Sequence, residues 1–300
     1  MPAVSPWLKK LLDTSIPMQL PFKQAPSSLC ILRLSAIGDI CHTLPIVRTI
    51  QKHWPSTKLT WIIGKAEYPL VDEIQNINFI VFDKANGLKA YKDIHQQLKN
   101  TKFDALLHMQ MSMRTSLISL LVKSKIKLGF DKQRAKDLQW LFSNTTIPYK
   151  EKQHVINSFF GFTETLGIPQ HEYQWDIPVA NQPDFDPLTN EKPYVVISPC
   201  SSMPYRNWTA EGYAGIADWL YEQQGMQVIL SGGHSLIEKE MADKITHQVK
   251  HPLLNLTTKT NLKQLCAILN KALIIIAPDS GPAHMATTVH TPVIGLYACT

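Results

Sequence analysis

The 300-residue chain lacks several features that define common classes of protein. It contains no run of about 18 apolar residues, so no segment is predicted to span a membrane. Lys9 and Lys10 near the N-terminus are not followed by a long apolar core, which argues against a signal peptide. No P-loop is present and no G-x-G-x-x-G follows a strand, so the glycine signatures of ATPases and dehydrogenases are missing.

Cysteine is scarce, and its spacing excludes the usual cysteine-based sites. The five cysteines are odd in number, and none of them forms a C-x-x-C pair. This pattern is typical of a reducing cytosol and predicts neither a disulfide framework nor a zinc site. The cysteines are Cys30, Cys41, Cys200, Cys266 and Cys299.

The composition is that of an ordinary globular protein with a mild basic excess. Hydrophobic residues make up 44% of the chain, charged residues 18%, and the formal net charge is +6. Such an excess suits an anionic partner, for example a nucleoside diphosphate or an acidic membrane leaflet, and it equally suits an ordinary solvated surface. No basic tract is interleaved with aromatic residues, so a nucleic-acid partner is not predicted.

Strand-length apolar runs alternate with helical patterns in both halves of the chain, which predicts βαβ units and parallel sheets. A chain of this length favours two domains of roughly 150 residues. The segment 169–192 is rich in Pro, Asn and Gln and is predicted to be the interdomain linker. We therefore expect an extension over 1–27, a first domain over 28–168 and a second over 193–300.

Two strand-to-helix turns indicate where ligands bind. The apolar run Ala272–Ala277 predicts a buried strand, and Asp279 or Ser280 after it can cap a helix that has Pro282 in its first turn. The run from Leu29 to Asp39 repeats this plan early in the chain. Free backbone N–H groups and the positive end of a helix dipole favour anions at such turns.

At these residues the chain resembles a known family, the ADP-heptose:lipopolysaccharide heptosyltransferases of glycosyltransferase family 9. The resemblance runs from about Leu29 to Thr300. It implies an α/β fold of the GT-B type, in which two Rossmann-like domains with parallel sheets face each other across a cleft. Five motifs in the right order carry it, namely Ser35–Asp39, His42–Pro45, Ser201–Trp208, Leu230–Gly233 with Glu238, and Asp279–His284.

The resemblance implies roles for individual residues, each with a simpler alternative. Asp39 would be the general base for the acceptor hydroxyl, although Asp there also suits a helix cap. Arg206, after Ser201 and Ser202, would neutralise charge on the leaving ADP, or would be a surface arginine beside two turn serines; the family often has Lys at this position. Glu238 would hold the ribose hydroxyls, or would simply face solvent. The full set implied for the nucleotide sugar is Ser201, Ser202, Arg206, Gly232, Glu238, Asp279, Ser280, Gly281 and His284.

Other residues have less direct interpretations. His42 and Thr43 follow Asp39 and are predicted either to line the acceptor side or to pack the first helix. Trp208 is interpreted as a packing residue. Asp184 and Asp186 form the D-x-D pattern with which other glycosyltransferases bind a metal, but no strand precedes them in their Pro-rich surroundings. We interpret them as a solvated turn and expect no metal and no cofactor.

The resemblance implies transfer of L-glycero-D-manno-heptose from ADP-heptose to the Kdo/heptose inner core of lipopolysaccharide, with inversion, nearest to the enzymes that add the first heptose. Two alternatives stay open, a sugar-nucleotide epimerase of the same twin-domain plan and a non-catalytic relative. Family members usually continue beyond the last predicted strand, so we expect the second domain to be shortened or packed differently. A cytoplasmic monomer is expected, and the amphipathic segment Trp7–Leu12 favours either body packing or contact with the inner face of the membrane.

Overall fold

The computed structural model describes residues 20–179 and 192–297 and contains two parallel sheets. The first sheet has six strands in the order β3-β2-β1-β4-β5-β6, and the second has five in the order β11-β10-β7-β8-β9. The strands of the first sheet are β1 (Ser28–Leu32), β2 (Lys58–Gly64), β3 (Ile77–Phe82), β4 (Phe103–His108), β5 (Ser124–Gly129) and β6 (Thr145–Thr146). Those of the second are β7 (Tyr194–Ile197), β8 (Gln227–Leu230), β9 (Leu254–Asn255), β10 (Ile274–Ala277) and β11 (Val293–Gly295).

Both sheets have the strand order of a Rossmann-type fold, and this confirms the predicted fold class. In such sheets the order reverses beside the first strand, here between β1 and β4 and between β7 and β10. Ligands bind outside the carboxyl ends of the strands at this switch point. The two turns selected from the sequence follow β1 and β10, so each of them lies at a switch point.

Helices connect the strands, and several begin at a side-chain cap. Ser112, Thr209, Ser235 and Asn261 each accept a hydrogen bond from a backbone N–H of the first helical turn. In the described part of the chain the helices are α1 (Ile37–His53), α2 (Leu88–Leu98), α3 (Met113–Leu121), α4 (Val155–Leu166), α5 (Ala210–Gln224), α6 (Leu236–Gln248), α7 (Leu262–Lys271) and α8 (Gly281–Thr288).

The elements differ from the sequence prediction mainly at their ends. The sequence predicts a first strand over Leu29–Leu34 and a first helix over Ile40–His53, whereas β1 ends at Leu32 and α1 begins at Ile37. The turn between them is therefore short, and Asp39 lies inside the first turn of α1. The predictions for Trp7–Leu12, Asp184, Asp186 and Cys299 lie outside the described residues.

The two halves of the molecule pack directly on each other through α1 and α8. A Cβ on Gly38 would lie 2.4 Å from Cδ2 of His284, and a Cβ on Gly281 would lie 3.4 Å from Cβ of Ile37. A side chain at position 38 would therefore force the His284 ring to move. At the periphery of the contact, Lys263 of α7 pairs with Asp72 and Glu73 of the first half at 2.9 and 2.6 Å.

A proline inside α1 ties this helix to the start of the linker. Pro45 has no N–H, so the carbonyl of Cys41 one turn earlier has no partner within the helix. Trp175 donates its indole N–H to that carbonyl at 3.0 Å. Arg48 donates to the carbonyls of Trp175 and Asp176 at 3.2 and 2.7 Å. These contacts hold the described part of the linker along α1.

We expect Trp175→Phe to lower the free energy of unfolding by about 1–3 kcal/mol, because it leaves the buried Cys41 carbonyl without a donor. Urea unfolding followed by circular dichroism measures this change. Trp219→Phe is the matched control, since Trp219 is 53% exposed and should change stability by no more than about 0.5 kcal/mol. Equal losses in both variants would mean that the Trp175 hydrogen bond adds no measurable stability.

Candidate active site

The cleft between the two sheets contains two adjoining cavities of about 660 and 670 Å³, which we call lobe one and lobe two. Ile37 and Glu67 line both lobes. Lobe one lies between the first turns of α1 and α8 and is lined, among others, by Asp39, His42, His154, Ser202, Arg206, Asp279, Ser280, Gly281 and His284. Lobe two is lined, among others, by Lys65, Lys84, Arg114, Gly232, Gly233, Glu238, Leu262, Leu265, Pro282 and Met285.

Asp39 lies at the third position of α1 with a side chain that is one-third exposed. Its Oδ2 atom pairs with Arg33 and accepts a hydrogen bond from the Ala36 N–H at 3.3 Å. No hydrogen bond to Oδ1 is found within the described residues. One carboxylate oxygen is thus held by the protein, while the other is available to a group in lobe one.

Arg33 forms an ion pair with Asp39 and was not predicted as a site residue from the sequence. Its guanidinium is buried, pairs with Asp39, donates to the carbonyl of Met109 and stacks on the Phe159 ring, with Cζ 5.3 Å from the ring centroid. Burial lowers the pKa of Arg33, and the charge of Asp39 opposes that shift. The sequence signal that could have identified Arg33 is a single cation directly after an apolar strand. A charge buried there requires a partner of opposite charge.

Gln110 and Glu67 were also not predicted as site residues, because each reaches the site from a position far away along the chain. Gln110, just after β4, accepts from the N–H of Leu34 at 2.7 Å and donates to the Ser35 hydroxyl at 3.2 Å, which fixes the turn before α1. Glu67 borders both lobes, and burial raises the pKa of its carboxyl group. Neither belongs to a local motif in the sequence.

The second half contributes three linked polar side chains to lobe one. Arg206 donates to Asp279 at 3.3 Å, and Asp279 also lies 3.3 Å from Nε2 of His284. The Nε atom of Arg206 and the hydroxyl of Ser280 are buried without a hydrogen-bond partner. Unsatisfied buried polar atoms are rare in folded proteins. Together with the free N–H groups at the start of α8, they form a set of donors suited to an anion.

The two predicted serines have different surroundings. Ser202 lines lobe one. The hydroxyl of Ser201 donates to the Met203 carbonyl at 2.8 Å and accepts from the Met203 N–H at 3.2 Å, so it closes a local turn. Trp208 packs on Tyr213 with ring centroids 5.3 Å apart, consistent with its interpretation as a packing residue.

Glu238 and Gly232 line lobe two rather than lobe one. Glu238 caps α6, since it accepts from the Gly233 N–H at 2.8 Å and from the Ser235 hydroxyl at 2.6 Å. Both of its oxygens therefore have protein partners. The carboxylate nevertheless borders a cavity that has apolar walls on the second-domain side.

The two residues predicted for the acceptor side are separated by the fold. His42 lines lobe one, where its ring lies 4.8 Å from that of His284 and 5.7 Å from that of His154. Thr43 is fully buried and donates its hydroxyl to the Asp39 carbonyl at 2.8 Å, so it faces the helix and not the cavity. The pKa of His42 is lowered to about 4, chiefly by burial and next by the neighbouring His284, while Asp39 acts in the opposite direction.

Residues 20–179 and 192–297 contain no group of three His, Cys, Asp or Glu side chains arranged to hold a metal ion. In the same ranges, no helix is long and apolar enough to cross a membrane.

Two Rossmann-like domains with a ligand cleft between their switch points define the GT-B class of fold. The model of glycosyltransferase family 9 (heptosyltransferase) matches residues 92–300, and the chain belongs to this family of glycosyltransferases. The chain is also 44% identical to the lipopolysaccharide core heptosyltransferase OpsX of Haemophilus influenzae, over 92% of this chain and 80% of that protein.

Solved structures agree on the fold. A glycosyltransferase of family 9 from Veillonella parvula superposes with a TM-score of 0.79 at 21% identity, over 90% of this chain and 80% of that one. The Escherichia coli heptosyltransferase WaaC, solved with ADP-2-deoxy-2-fluoro heptose, superposes with a TM-score of 0.73 at 21% identity, over 89% of this chain and 88% of that one.

We expect His42→Asn to reduce the acid sensitivity of the fold. Because the pKa of His42 falls from 6.5 to about 4 on folding, its contribution to stability is present above pH 6.5 and is lost as the pH falls towards 4. The loss amounts to at most about 3 kcal/mol. Urea unfolding from pH 7 to pH 4 measures it, with the exposed His234→Asn as control. Parallel pH curves for wild type and His42→Asn would contradict the expectation.

Proposed function

We propose that this chain transfers L-glycero-D-manno-heptose from ADP-heptose to the Kdo/heptose inner core of lipopolysaccharide, with inversion at the anomeric carbon. The observation that carries the proposal is the composition of lobe one. The first domain contributes a carboxylate with one free oxygen, and the second contributes Arg206 and the N-terminus of α8. Membership of the family and the 44% identity to a heptosyltransferase support the class of donor and acceptor.

In this mechanism Oδ1 of Asp39 accepts the proton of the acceptor hydroxyl. The acceptor oxygen attacks the anomeric carbon on the face opposite the diphosphate, the bond to the diphosphate oxygen breaks, and ADP leaves. Arg33 holds Oδ2 and so keeps the carboxylate oriented towards the cavity. Negative charge that develops on the departing ADP is stabilised by Arg206, by the Ser280 hydroxyl and by the free N–H groups of α8.

The nucleotide is proposed to extend from lobe one into lobe two. The first turn of α8 borders both lobes, since Gly281 and His284 line lobe one while Pro282 and Met285 line lobe two. A diphosphate at this turn would direct the adenosine towards Gly232, Gly233 and Glu238. The apolar side chains of lobe two then suit the base, and Glu238 exchanges a capping bond for the ribose hydroxyls.

We further propose that the chain acts as a monomer on the cytoplasmic face of the inner membrane and needs no metal. Arg206 and a helix N-terminus can neutralise the diphosphate charge, which a divalent ion neutralises in other transferases. An acceptor anchored by lipid A would present its sugars to the cleft from the membrane surface.

We expect the chain to release ADP from ADP-heptose only when a Kdo-lipid acceptor is present, and Asp39→Asn to lower turnover by about 10²–10⁴-fold, the usual effect of losing a general base. A coupled ADP-release assay measures both. Asp243→Asn is the matched control, because Asp243 is an exposed carboxylate on α6. An Asp39→Asn variant with full turnover would remove Asp39 from the mechanism. Isomerisation of the sugar nucleotide without acceptor would favour an epimerase instead.

Arg206→Ala and Glu238→Ala are expected to weaken ADP binding by different routes. Loss of Arg206 removes charge-assisted contacts of about 1.5–3 kcal/mol each and makes binding less dependent on salt. Loss of Glu238 weakens ADP and adenosine alike and leaves the salt dependence unchanged. Isothermal titration at two ionic strengths separates these effects. If Asp39→Asn lost more ADP affinity than either of these variants, the assignment of the nucleotide to the second domain would be wrong.

Turnover is expected to persist in excess EDTA, since Arg206 and the start of α8 supply the positive charge at the diphosphate. The ADP-release assay with and without EDTA measures this, after the protein has been dialysed against chelator. Complete loss of activity that Mg²⁺ or Mn²⁺ restores would contradict metal independence and direct attention to Asp184 and Asp186.

A further inference from the structure

The basic residues of this chain are concentrated in one segment of the first domain. Nine lysines and arginines but only three acidic residues lie between positions 113 and 152, an excess equal to the formal net charge of +6 of the whole chain. The rest of the sequence is therefore balanced. Of the three acids, Asp131 pairs with Arg134, which leaves Asp137 and Glu151 as the unpaired negative groups of the segment.

Large apolar side chains of the same segment are exposed. Met113, Leu117 and Leu120 recur at helical spacing along α3 and form one exposed stripe. The turn after β5 exposes Leu138, Trp140 and Leu141, which are 52%, 40% and 58% exposed. Single exposed apolar residues are ordinary, but a group of six in one segment indicates an interaction surface.

The turn after β5 lies beside the start of α3, because both contact the same carbonyl group. The carbonyl of Gln110 accepts from Nε2 of Gln139 at 3.2 Å and from the hydroxyl of Thr115 at 2.8 Å. Gln139 itself is fully buried. Asp137 and Leu138 before it have φ values of 51° and 56°, a backbone conformation that such residues rarely adopt. Burial of Gln139 thus forces its apolar neighbours outward beside the start of α3.

Cations lie among these apolar side chains. Nζ of Lys132 is 5.2 Å from the centroid of the Trp140 ring, and Lys136, four residues after Lys132, is exposed. Tryptophan beside lysine, with aliphatic residues around both, is the combination that suits the interface of an anionic bilayer. Nucleic acid would require base-stacking or groove contacts that this aliphatic stripe does not offer.

We propose that the surface formed by Met113, Leu117, Leu120, Leu138, Trp140 and Leu141, with Lys132 and Lys136, docks the chain on an anionic lipid bilayer. Arg114 in the first turn of α3 lines lobe two, so the docking surface adjoins the cleft. A lipid-anchored substrate would then reach the cleft without leaving the bilayer. The orientation of the cleft towards a lipid-anchored substrate rests on the proposed function, whereas binding of the surface to a bilayer does not.

The test is co-sedimentation of the full chain with vesicles that contain no acceptor. We expect binding to vesicles of phosphatidylethanolamine and phosphatidylglycerol, weak binding to phosphatidylcholine vesicles, and loss of binding at high salt. Lys132→Glu with Lys136→Glu should weaken binding by about tenfold or more. The matched control is Lys239→Glu with Lys244→Glu, which makes the same charge change on exposed residues of α6 in the second domain.

The apolar contribution is tested with Trp140→Ser and Leu141→Ser, against Trp219→Ser and Leu273→Ser at sites of 53% and 48% exposure. Only the first pair should weaken binding, and circular dichroism should find all variants folded. Equal losses in both pairs, or no binding to anionic vesicles at low salt, would overturn the proposal. A dimer in sedimentation velocity that Trp140→Ser and Leu141→Ser dissociate would also overturn the proposal. The surface would then bind a second copy of the chain. A chain that binds vesicles but transfers no heptose would contradict the proposed function alone.

Discussion

The contact between the first turns of α1 and α8 is the constraint on which the rest of the site depends. These helices begin at the switch points of two different sheets, and they approach so closely that a side chain at position 38 would enter the ring of His284. The same contact closes lobe one between two helix N-termini. Residues more than two hundred positions apart in sequence, such as Asp39 and Asp279, thereby line one cavity.

The site divides its charges between the domains. Arg33 beneath Asp39 keeps a negative group oriented on the first domain, while Arg206 and the α8 terminus present positive charge from the second. Within lobe one, Asp279 pairs with Arg206 and lies beside His284. In the proposed function, a diphosphate in lobe one would replace Asp279 as the partner of Arg206, so binding would exchange one ion pair for another and would not desolvate an isolated cation.

Much of the fold could be predicted from the sequence because it depends on local patterns. The apolar runs that became β1 and β10 are buried on both faces of parallel sheets, and this burial requires nearly continuous apolar sequence. The turns after them were identifiable from small residues, Asp and Pro. The helix ends were less predictable, and α1 begins at Ile37 because Gln110, from beyond β4, holds the preceding turn.

The sequence by itself determined the two parallel sheets, the presence of Asp39 just after β1 and the family to which the chain belongs. Only the tertiary structure decided which polar groups meet. It brought Arg33 under Asp39, turned Thr43 into the helix, separated Glu238 from lobe one, and gathered a basic and apolar surface beside the cleft. The reason is physical, since periodicity and turn chemistry are local properties of the chain, whereas an ion pair or a cavity requires that distant segments pack together.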